Sequence, residues 1–336
     1  MAKVEFIFLD RETVRSLLPD TRTLLQIIET GLAAHGRREV VQPPKSHLVL
    51  DDRFNGHFNI LSGYVAPSDI AGVKVIGDYV DNYRVGLPSE IALLTLYDPR
   101  TGAPRALLDA TQLTWLRTGA VTGIGVRHLA RSDSRIVGHV GARGTAFGNL
   151  QALASLFDLQ EIRIASKRRE TREALAREVE QKLQIRAQAV DTAEAACSNA
   201  DIVIEATRLE RPQVIIKDKW LKPGSLLVTY GWVMAVDPVT VASMDKRVVD
   251  DWEQCRKGGA LHPLIASGAL RDEHIHAEIG QIVCGERAGR TDAQERILFW
   301  HRGFAISDIV LGNWIVERAR QRRSGQTLTL WDSPDE

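Results

Sequence analysis

Cysteine is scarce in this sequence, with Cys197, Cys255 and Cys284 as the only three among 336 residues. An odd number at wide spacing excludes a disulfide framework and a C-x-x-C pair of the kind that binds metal or exchanges electrons. His274 and His276 have no third ligand near them in the sequence, so we predict no metal site. The cysteine content predicts a reducing compartment, the cytoplasm.

Net charge and long apolar runs are also absent. Lys and Arg together number 43, and Asp and Glu also number 43, so no long-range field attracts nucleic acid or anionic lipid. No apolar run is long enough to span a membrane, and the first residues contain no signal-peptide core. The C-terminal arginines, among them Arg318 and Arg322, predict a solvated helix end. We therefore expect neither a membrane nor a nucleic acid as a partner.

Residues 134–250 contain strand-like and helix-like segments in alternation. The strand candidates are residues 134–140, 161–165, 202–205, 226–230 and 248–249. Helical spacing of apolar residues begins at Ala146 and again after Arg169. Such alternation is typical of a doubly wound parallel sheet, so we predict an α/β fold with a central Rossmann-type domain.

The first 115 residues have a different pattern. A helix is predicted after Asp20, which is placed to cap it, with Leu24, Ile28 and Leu32 facing inward. Strand-like segments follow, separated by turn signals such as residues 98–102. This part of the chain predicts a separate α+β domain.

A glycine-rich turn joins the strand candidate 134–140 to the helix that follows. The turn consists of Gly141, Ala142, Arg143, Gly144 and Thr145. A turn of this kind between a strand and a helix places a dinucleotide pyrophosphate on the helix N-terminus. Arg143 stands where the usual pattern has a second glycine, so a turn that needs glycine only for its backbone angles stays an alternative.

The loop after the next strand carries cations. About 20 residues beyond the glycine turn, an NAD site usually presents an acid to the ribose 2′-hydroxyl. This chain has Ser166, Lys167 and Arg168 there instead. A hydroxyl followed by two cations suits a 2′-phosphate, so we predict NADP(H) rather than NAD(H). A helix that simply begins with solvated charges is the alternative.

Several motifs resemble those of the ornithine cyclodeaminase/μ-crystallin family. They are Gly86-Leu-Pro-Ser89, Thr101-Gly-Ala-Pro104, Leu108-Asp-Ala110, Leu116-Arg-Thr-Gly-Ala120, His276-Ala-Glu-Ile-Gly280, Gly289-Arg-Thr291 and Gly303-Phe-Ala-Ile-Ser-Asp308. The resemblance covers nearly the whole chain. Residues 41–45, 248–255 and 327–330 look most similar to the family's siderophore-pathway branch, which oxidises N-(2-amino-2-carboxyethyl)-L-glutamate.

The resemblance implies a homodimer with two domains in each chain. Residues 1–115 together with 303–336 would form the substrate-binding and dimerisation domain, and residues 116–302 the dinucleotide-binding domain. It also implies an NAD(P)H-dependent imine reductase or opine-like amino acid dehydrogenase, acting on the C–N bond of an α-imino or secondary α-amino acid. The expected partner is therefore a small amino or imino acid.

The resemblance further assigns residues to the site. Lys74 and Arg117 match the family's active-site lysine and arginine, so both are predicted to be catalytic and to bind substrate; a surface lysine and a structural salt bridge are the alternatives. Lys45 matches a substrate-binding position at which many members have arginine. Beyond the glycine turn and the cationic loop, the predicted cofactor-binding residues are Ser89, Thr118 and Thr207.

One feature of the family's cyclodeaminases is missing. They carry an acid/base aspartate shortly after the glycine that matches Gly231, whereas the next acid in this chain is Asp237, which precedes Pro238 and is predicted to start a helix. This absence disfavours ring-closing deamination of ornithine. Cyclodeaminase-type activity stays an alternative, and so does a μ-crystallin-like binding protein or accessory subunit without turnover.

Overall fold

A computed structural model describes residues 3–332, with residues 51 and 52 described by their backbone. Residues 1–2 and 333–336, at the ends of the predicted substrate domain, lie outside the described residues. Contacts divide the chain into two compact units, the first reaching to Arg117 and resuming at Phe304, the second being Thr118–Gly303. The first domain boundary was predicted after residue 115, two residues before the observed one, and the second after residue 302, one residue before the observed one. The roles predicted for the two domains stay predictions.

Both units combine helices with strands. The helices are α1 (Arg11–Leu17), α2 (Thr21–Gly36), α3 (Asp51–Phe54), α4 (Thr111–Leu129), α5 (Ala146–Ala154), α6 (Arg169–Leu183), α7 (Ala193–Cys197), α8 (Pro238–Ala242), α9 (Trp252–Cys255), α10 (His262–Ala266), α11 (Ile279–Val283) and α12 (Ala305–Arg322). The strands are β1 (Val4–Leu9), β2 (Val40–Val41), β3 (Ser46–Val49), β4 (Gly56–Val65), β5 (Ile70–Tyr79), β6 (Glu90–Tyr97), β7 (Pro104–Asp109), β8 (Ile136–Val140), β9 (Glu161–Ala165), β10 (Arg186–Val190), β11 (Ile202–Glu205), β12 (Leu226–Thr229), β13 (Lys246–Val249), β14 (Ala277–Glu278), β15 (Ile297–Trp300) and β16 (Gln326–Trp331).

The first unit is built on a sheet with the strand order β16-β1-β7-β6-β5-β4-β2, and β3 also pairs with β4. Its strands pair antiparallel except for β1 and β7. Helix α12 packs on β4, β5 and β6 and against α2. Gly312 permits this close packing, because a Cβ there would lie 2.4 Å from Leu94 Cδ2.

Helix α2 begins where the sequence predicts. Asp20 caps it by accepting the backbone N–H of Thr23 at 2.9 Å. Leu24, Ile28 and Leu32 lie on its buried face. The capping residue and the spacing of apolar residues therefore identify this helix correctly.

The two faces of the first unit's sheet differ, because side chains alternate along each strand. Gly72 and Lys74 of β5 belong to the face that α12 covers, and a Cβ at Gly72 would lie 2.9 Å from Ile309 Cγ1. Val75 belongs to the other face, together with its opposite residue Leu93 on β6. We call these the helix-covered face and the open face.

The second unit is a parallel sheet with the strand order β10-β9-β8-β11-β12-β15-β13-β14. Every pairing between these strands is parallel. The first three strands run outward from β8 to β10, and the chain then returns to place β11 and all later strands on the other side of β8, so the order reverses between β8 and β11. This confirms the predicted doubly wound α/β sheet, and such a reversal is where ligands of these folds bind.

Three strand boundaries differ from the prediction by one or two residues, and one of them is the start of β13 at Lys246, two residues before the predicted Val248. Strand β8 begins at Ile136, because the backbone N–H groups of Arg135 and Ile136 are bound by the carboxylate of Asp201, each at 2.9 Å. Strand β12 ends at Thr229. Asp237 caps helix α8 as predicted, accepting the N–H of Val239 at 3.1 Å.

Candidate active site

Lys74, Arg117 and Asp308 meet in the first unit around one carboxylate. Lys74 Nζ lies 2.7 Å and Arg117 Nε 3.0 Å from Oδ1 of Asp308. Lys74 also donates to Thr114 Oγ1 at 3.2 Å. Lys74 is 1% exposed, Arg117 6% and Asp308 0%. Two cations around one carboxylate leave an excess positive charge, so the cluster favours an anionic ligand.

Three elements position this cluster. Lys74 lies midway along β5 on the helix-covered face. Thr114 and Arg117 are three residues apart on α4, a spacing that places side chains on the same side of a helix. Asp308 is in the first turn of α12, where the helix dipole stabilises a negative charge. The structure thus brings together the two predicted catalytic residues, and the surface-lysine alternative for Lys74 is wrong.

Burial changes the acid–base behaviour of Lys74. Desolvation and then the charge of Arg117 lower the pKa of Lys74 to about 8, against the opposing effect of Asp308. A lysine with this pKa exchanges a proton near neutral pH, whereas an ordinary exposed lysine stays protonated there. Lys74 is therefore suited to move a proton at a bound substrate.

Asp308 is absent from the predicted site residues. Its Oδ2 is buried and has no hydrogen-bond partner in the described part of the chain. A buried carboxylate oxygen without a donor is costly, so this atom marks a position that a ligand N–H would fill. Asp308 is the last residue of the family-like motif 303–308, and this motif could have identified it as a site residue. Its contact with Arg117 is not visible in the sequence, because 191 residues separate the two along the chain.

Three other predicted residues lie outside this hydrogen-bonded cluster. Lys45 is half-buried between β2 and β3 and takes part in polar interactions. Ser89 is exposed, and its carbonyl accepts the N–H of Tyr79 at 2.8 Å. Thr118 is buried on α4 and is the first residue of the second unit. The cofactor roles predicted for Ser89 and Thr118 stay predictions.

The glycine turn of the second unit has backbone angles that favour glycine at both Gly141 and Gly144. Gly141 has φ 112°, and a Cβ there would lie 2.4 Å from the carbonyl oxygen of Ala206, so only glycine fits. Gly144 has φ 59° with nothing within 4 Å of where its Cβ would stand. A groove of about 270 Å³ opens at this turn, lined by residues that include Ala142, Phe147 and Thr171. The Arg143 side chain is exposed, and Arg143 is among the residues that line this groove.

Thr145 belongs to a partly buried network of polar groups that sequence reasoning missed. Its Oγ1 lies 2.6 Å from the hydroxyl of Tyr230, and that hydroxyl accepts a hydrogen bond from Asn149 Nδ2 at 2.6 Å. Burial lowers the pKa of His139 to about 4, so its ring is neutral. His139 Nδ1 donates to Gly141 O at 2.7 Å, which leaves Nε2 to accept from Asn149 at 3.1 Å.

Asn149 connects two of these groups. It donates one N–H to His139 and one to Tyr230, and the bond between the Tyr230 and Thr145 hydroxyls can run in either direction. The Thr145 hydroxyl lies at the start of α5, where a hydroxyl suits an anionic group such as a pyrophosphate.

The cationic loop presents its charges to solvent. Lys167 and Arg168 are exposed, whereas Ser166 is half-buried. Ser166 Oγ donates to Arg168 O at 3.0 Å and lies 2.9 Å from Thr171 Oγ1. The serine hydroxyl thus shapes the loop, and the two cations are the groups of this loop that face outward.

Thr207 binds a buried acid that the sequence did not reveal. Its backbone N–H donates to Oε1 of Glu205 at 2.8 Å, and Thr229 donates to Oε2 at 2.7 Å. Glu205 ends β11 beside the glycine turn, in register with Val140. Burial raises the pKa of Glu205. Thr207 therefore holds the Glu205 carboxylate in place at the end of β11, beside the predicted cofactor crevice.

The segment after Gly231 contains no replacement for the missing aspartate. Trp232 follows Gly231, is 51% exposed, and has the guanidinium of Arg302 5.3 Å from its ring centre. Asp237 is occupied as the cap of α8. In the described part of the chain no three His, Cys, Asp or Glu side chains are grouped to hold a metal ion. No helix within residues 3–332 has the length and apolar character to cross a membrane.

Comparisons with known proteins agree on one family. The family model described as ornithine cyclodeaminase/mu-crystallin matches residues 5–323. The N-((2S)-2-amino-2-carboxyethyl)-L-glutamate dehydrogenase of Staphylococcus aureus is 31% identical over 97% of this chain and 99% of its own length. These matches confirm the resemblance inferred from the sequence motifs.

Two solved structures share the whole fold. The Delta(1)-pyrroline-2-carboxylate reductase of Thermococcus litoralis, in complex with NADH and L-proline, has a TM-score of 0.89 and 29% identity, covering 96% of this chain and 99% of the other. An archaeal alanine dehydrogenase dimer with bound NAD has a TM-score of 0.89 and 27% identity, covering 97% and 100%. Both are similar to this chain over nearly all of its length.

Proposed function

The chain belongs to the ornithine cyclodeaminase/mu-crystallin family, and we propose that it is an NAD(P)H-dependent oxidoreductase acting on the C–N bond of an α-imino or secondary α-amino acid. The buried cluster of Lys74, Arg117 and Asp308 carries this proposal. It combines an anion-binding cation, a lysine whose pKa lies near 8 and a carboxylate oxygen without a donor. A carboxylated imine offers a matching group to each of them.

We infer the following roles for these side chains. Arg117 binds the substrate carboxylate and orients the reacting carbon. Protonated Lys74 donates to the imine nitrogen and makes the attached carbon more electrophilic; in the oxidative direction neutral Lys74 accepts that proton. Once the proton is on the nitrogen, Asp308 Oδ2 accepts the N–H of the iminium ion or of the amine product. When bound, the nicotinamide supplies or removes the hydride.

We propose that the second unit holds the dinucleotide on its glycine turn. Gly141 and Gly144 add no side chain to the turn, and we expect the Thr145 hydroxyl at the start of α5 to donate to the pyrophosphate. The relatives with solved structures were found with NADH and with NAD. For this chain we propose a preference for NADP(H), because Lys167 and Arg168 are exposed where an acid would bind the ribose of NAD.

We further propose a homodimer that forms through the open face of the first unit's sheet. Val75, Ile91 and Leu93 lie together on this face and are 38%, 43% and 48% exposed. An apolar patch on a sheet is the surface expected at an interface between copies. Light scattering should give twice the chain mass, and Leu93→Glu should reduce it to one chain. The exposed loop variant Leu87→Glu should stay dimeric.

The activity test follows NADPH and NADH oxidation with Delta(1)-pyrroline-2-carboxylate, and with pyruvate plus primary amines, and identifies products by mass spectrometry. We expect the secondary or cyclic α-amino acid as product. Absence of any reduction while NADPH still binds would favour the binding-protein alternative. The same assay run with ornithine and NAD⁺ or NADP⁺ examines the cyclodeaminase alternative, since Asp308 is a buried acid at the site.

A further inference from the structure

Polar residues continue along the helix-covered face beyond Lys74. Lys74, Ile76 and Asp78 alternate onto this face of β5, opposite Leu61, Asn59 and His57 of β4. His47 of β3 is in turn opposite Asn59. We call His47, Asn59, His57 and Asp78 the distal cluster. It lies on the same surface of the sheet as the candidate active site.

Contacts within the distal cluster support this placement. His47 Nδ1 lies 2.6 Å from Asn59 Oδ1, and His57 Nε2 lies 4.0 Å from Asp78 Oδ2. The rings of His47 and His57 are 6.4 Å apart and nearly perpendicular. The side chains of His57 and Asp78 are 22% and 16% exposed. The four groups thus form one partly buried polar surface.

The two ends of this face have different chemistry. On one side of Lys74, Gly72 and Gly63 are opposite each other, and their missing side chains let α12 approach to packing distance. On the other side the strands carry imidazole, amide and carboxylate groups. Packing alone would favour apolar side chains there, because partly buried polar groups lose hydration. A ligand that extends along this face would therefore meet polar groups at this end.

The spacing gives the size of that ligand. At about 3.3 Å per residue, Asn59 is about 7 Å and Asp78 about 13 Å along the strands from the level of Lys74. A substrate confined to the Lys74 cluster would not reach these groups. A substrate that carries a second functional group several bonds from the reacting nitrogen would reach the distal cluster.

We propose that the distal cluster binds a carboxylate at the far end of the substrate, so that the enzyme acts on imines with two acidic ends. This inference rests on the proposed function and adds the substrate class to it. The distal cluster has three nitrogen-bearing side chains and a single carboxylate, which faces His57. Asn59 accepts from His47 through its oxygen, so the Asn59 amide nitrogen provides a donor in this cluster. Lys45, close before β3 in the chain, adds positive charge to this part of the unit.

The test compares amines that differ only at their far end. Pyruvate is combined with 3-aminopropanoate, 4-aminobutanoate or 6-aminohexanoate, and with n-alkylamines of matched length, and kcat/KM is measured with NADPH. We expect the ω-carboxylates to be favoured by roughly 10-fold, the gain of a charge-assisted hydrogen bond. The ratio should peak at one chain length, because the distal cluster is at a fixed distance.

Two variants separate binding from folding. His57→Leu should bring the ratio of carboxylate to alkyl amine close to one. Asn59→Asp, which keeps size and shape, should reverse the preference toward 1,4-diaminobutane, because it adds a second negative charge. His262→Leu, a histidine replacement on helix α10, should keep the wild-type ratio. Circular dichroism and thermal melting check that each variant is folded.

The outcomes distinguish this inference from the proposed function. Equal kcat/KM for carboxylate and alkyl amines in the wild type, or an unchanged ratio in both distal-cluster variants, would overturn the distal carboxylate site and leave imine reduction intact. A wild-type preference for diamines would show that Asp78 selects the ligand, and would overturn the carboxylate site as well. If the wild type reduces no imine, including Delta(1)-pyrroline-2-carboxylate, the proposed function and this inference fail together.

Discussion

Replacing Lys74 with methionine separates its chemical role from its energetic cost. Burial lowers the pKa of Lys74 from 10.5 to about 8, and a difference of about 2.5 units corresponds to roughly 3 kcal/mol against the charged form. Below pH 8 the ammonium is present in both folded and unfolded chains, so the folded state bears this cost in full. As pH rises from about 8 to 10.5, the folded chain loses its proton first and the cost is relieved.

Lys74→Met should therefore not destabilise the protein at pH 7. Methionine fills similar space, and Asp308 keeps its ion pair with Arg117 at 3.0 Å, so the variant does not leave an unpaired buried carboxylate. We expect its free energy of unfolding to equal or exceed that of the wild type at pH 7, by up to about 3 kcal/mol, with the gap closing toward pH 10.5. Turnover should fall by about 10²-fold or more, while NADPH affinity stays nearly constant.

Denaturant unfolding at a series of pH values measures the first effect, and steady-state kinetics with NADPH fluorescence titration measures the second. Lys257→Met, at an exposed lysine, is the matched control and should change neither stability nor turnover. The reasoning is refuted if Lys74→Met loses more than about 1 kcal/mol at pH 7 with no dependence on pH, or if it retains wild-type turnover.

Three further predictions concern the cofactor and the reaction. NADPH should bind at least ~10-fold more tightly than NADH in calorimetric titrations, and Lys167→Ala combined with Arg168→Ala should remove this preference; equal affinities in the wild type would contradict the cationic loop's role. Tyr230→Phe should weaken NADPH binding roughly 5-fold in the wild type but cause no additional loss in a Thr145→Val background, because the tyrosine acts through that hydroxyl; additive losses would point to a separate structural effect. Incubation with ornithine and NAD⁺ or NADP⁺ should yield little proline by mass spectrometry; efficient formation would mean that Asp308 serves as the missing acid.

Local sequence patterns predicted the elements that local forces determine. Asp20 and Asp237 were identified as helix caps from the residues beside them, and both cap as expected. The alternation of strands and helices in the second unit predicted a parallel sheet, because each strand needs a crossover to return to the same edge. The glycine turn could also be located from the sequence, because it lies directly between β8 and α5 along the chain.

The site required contacts that sequence distance conceals. Asp308 meets Lys74 only because α12 packs on β5 after the chain has passed through the whole second unit. Tyr230 reaches Thr145 across 85 residues, and neither residue type signals such a bond. The distal cluster depends on the register of three antiparallel strands, which sets the histidines on the same face as Lys74. Composition and spacing do not determine that register.

Strand β5 contributes to two surfaces that share no side chain. Lys74, Ile76 and Asp78 belong to one face and Val73, Val75 and Gly77 to the other, so a mutation at one position leaves its neighbours' surface largely unaltered. Under the roles proposed for the two faces, substitutions at alternate positions of β5 would change substrate preference and assembly separately. Insertion or deletion of a single residue in this strand would alter both faces, because it moves the side chains beyond that point to the opposite face of the sheet. Strand β5 therefore tolerates substitutions on one face at a time, but not a change in its length.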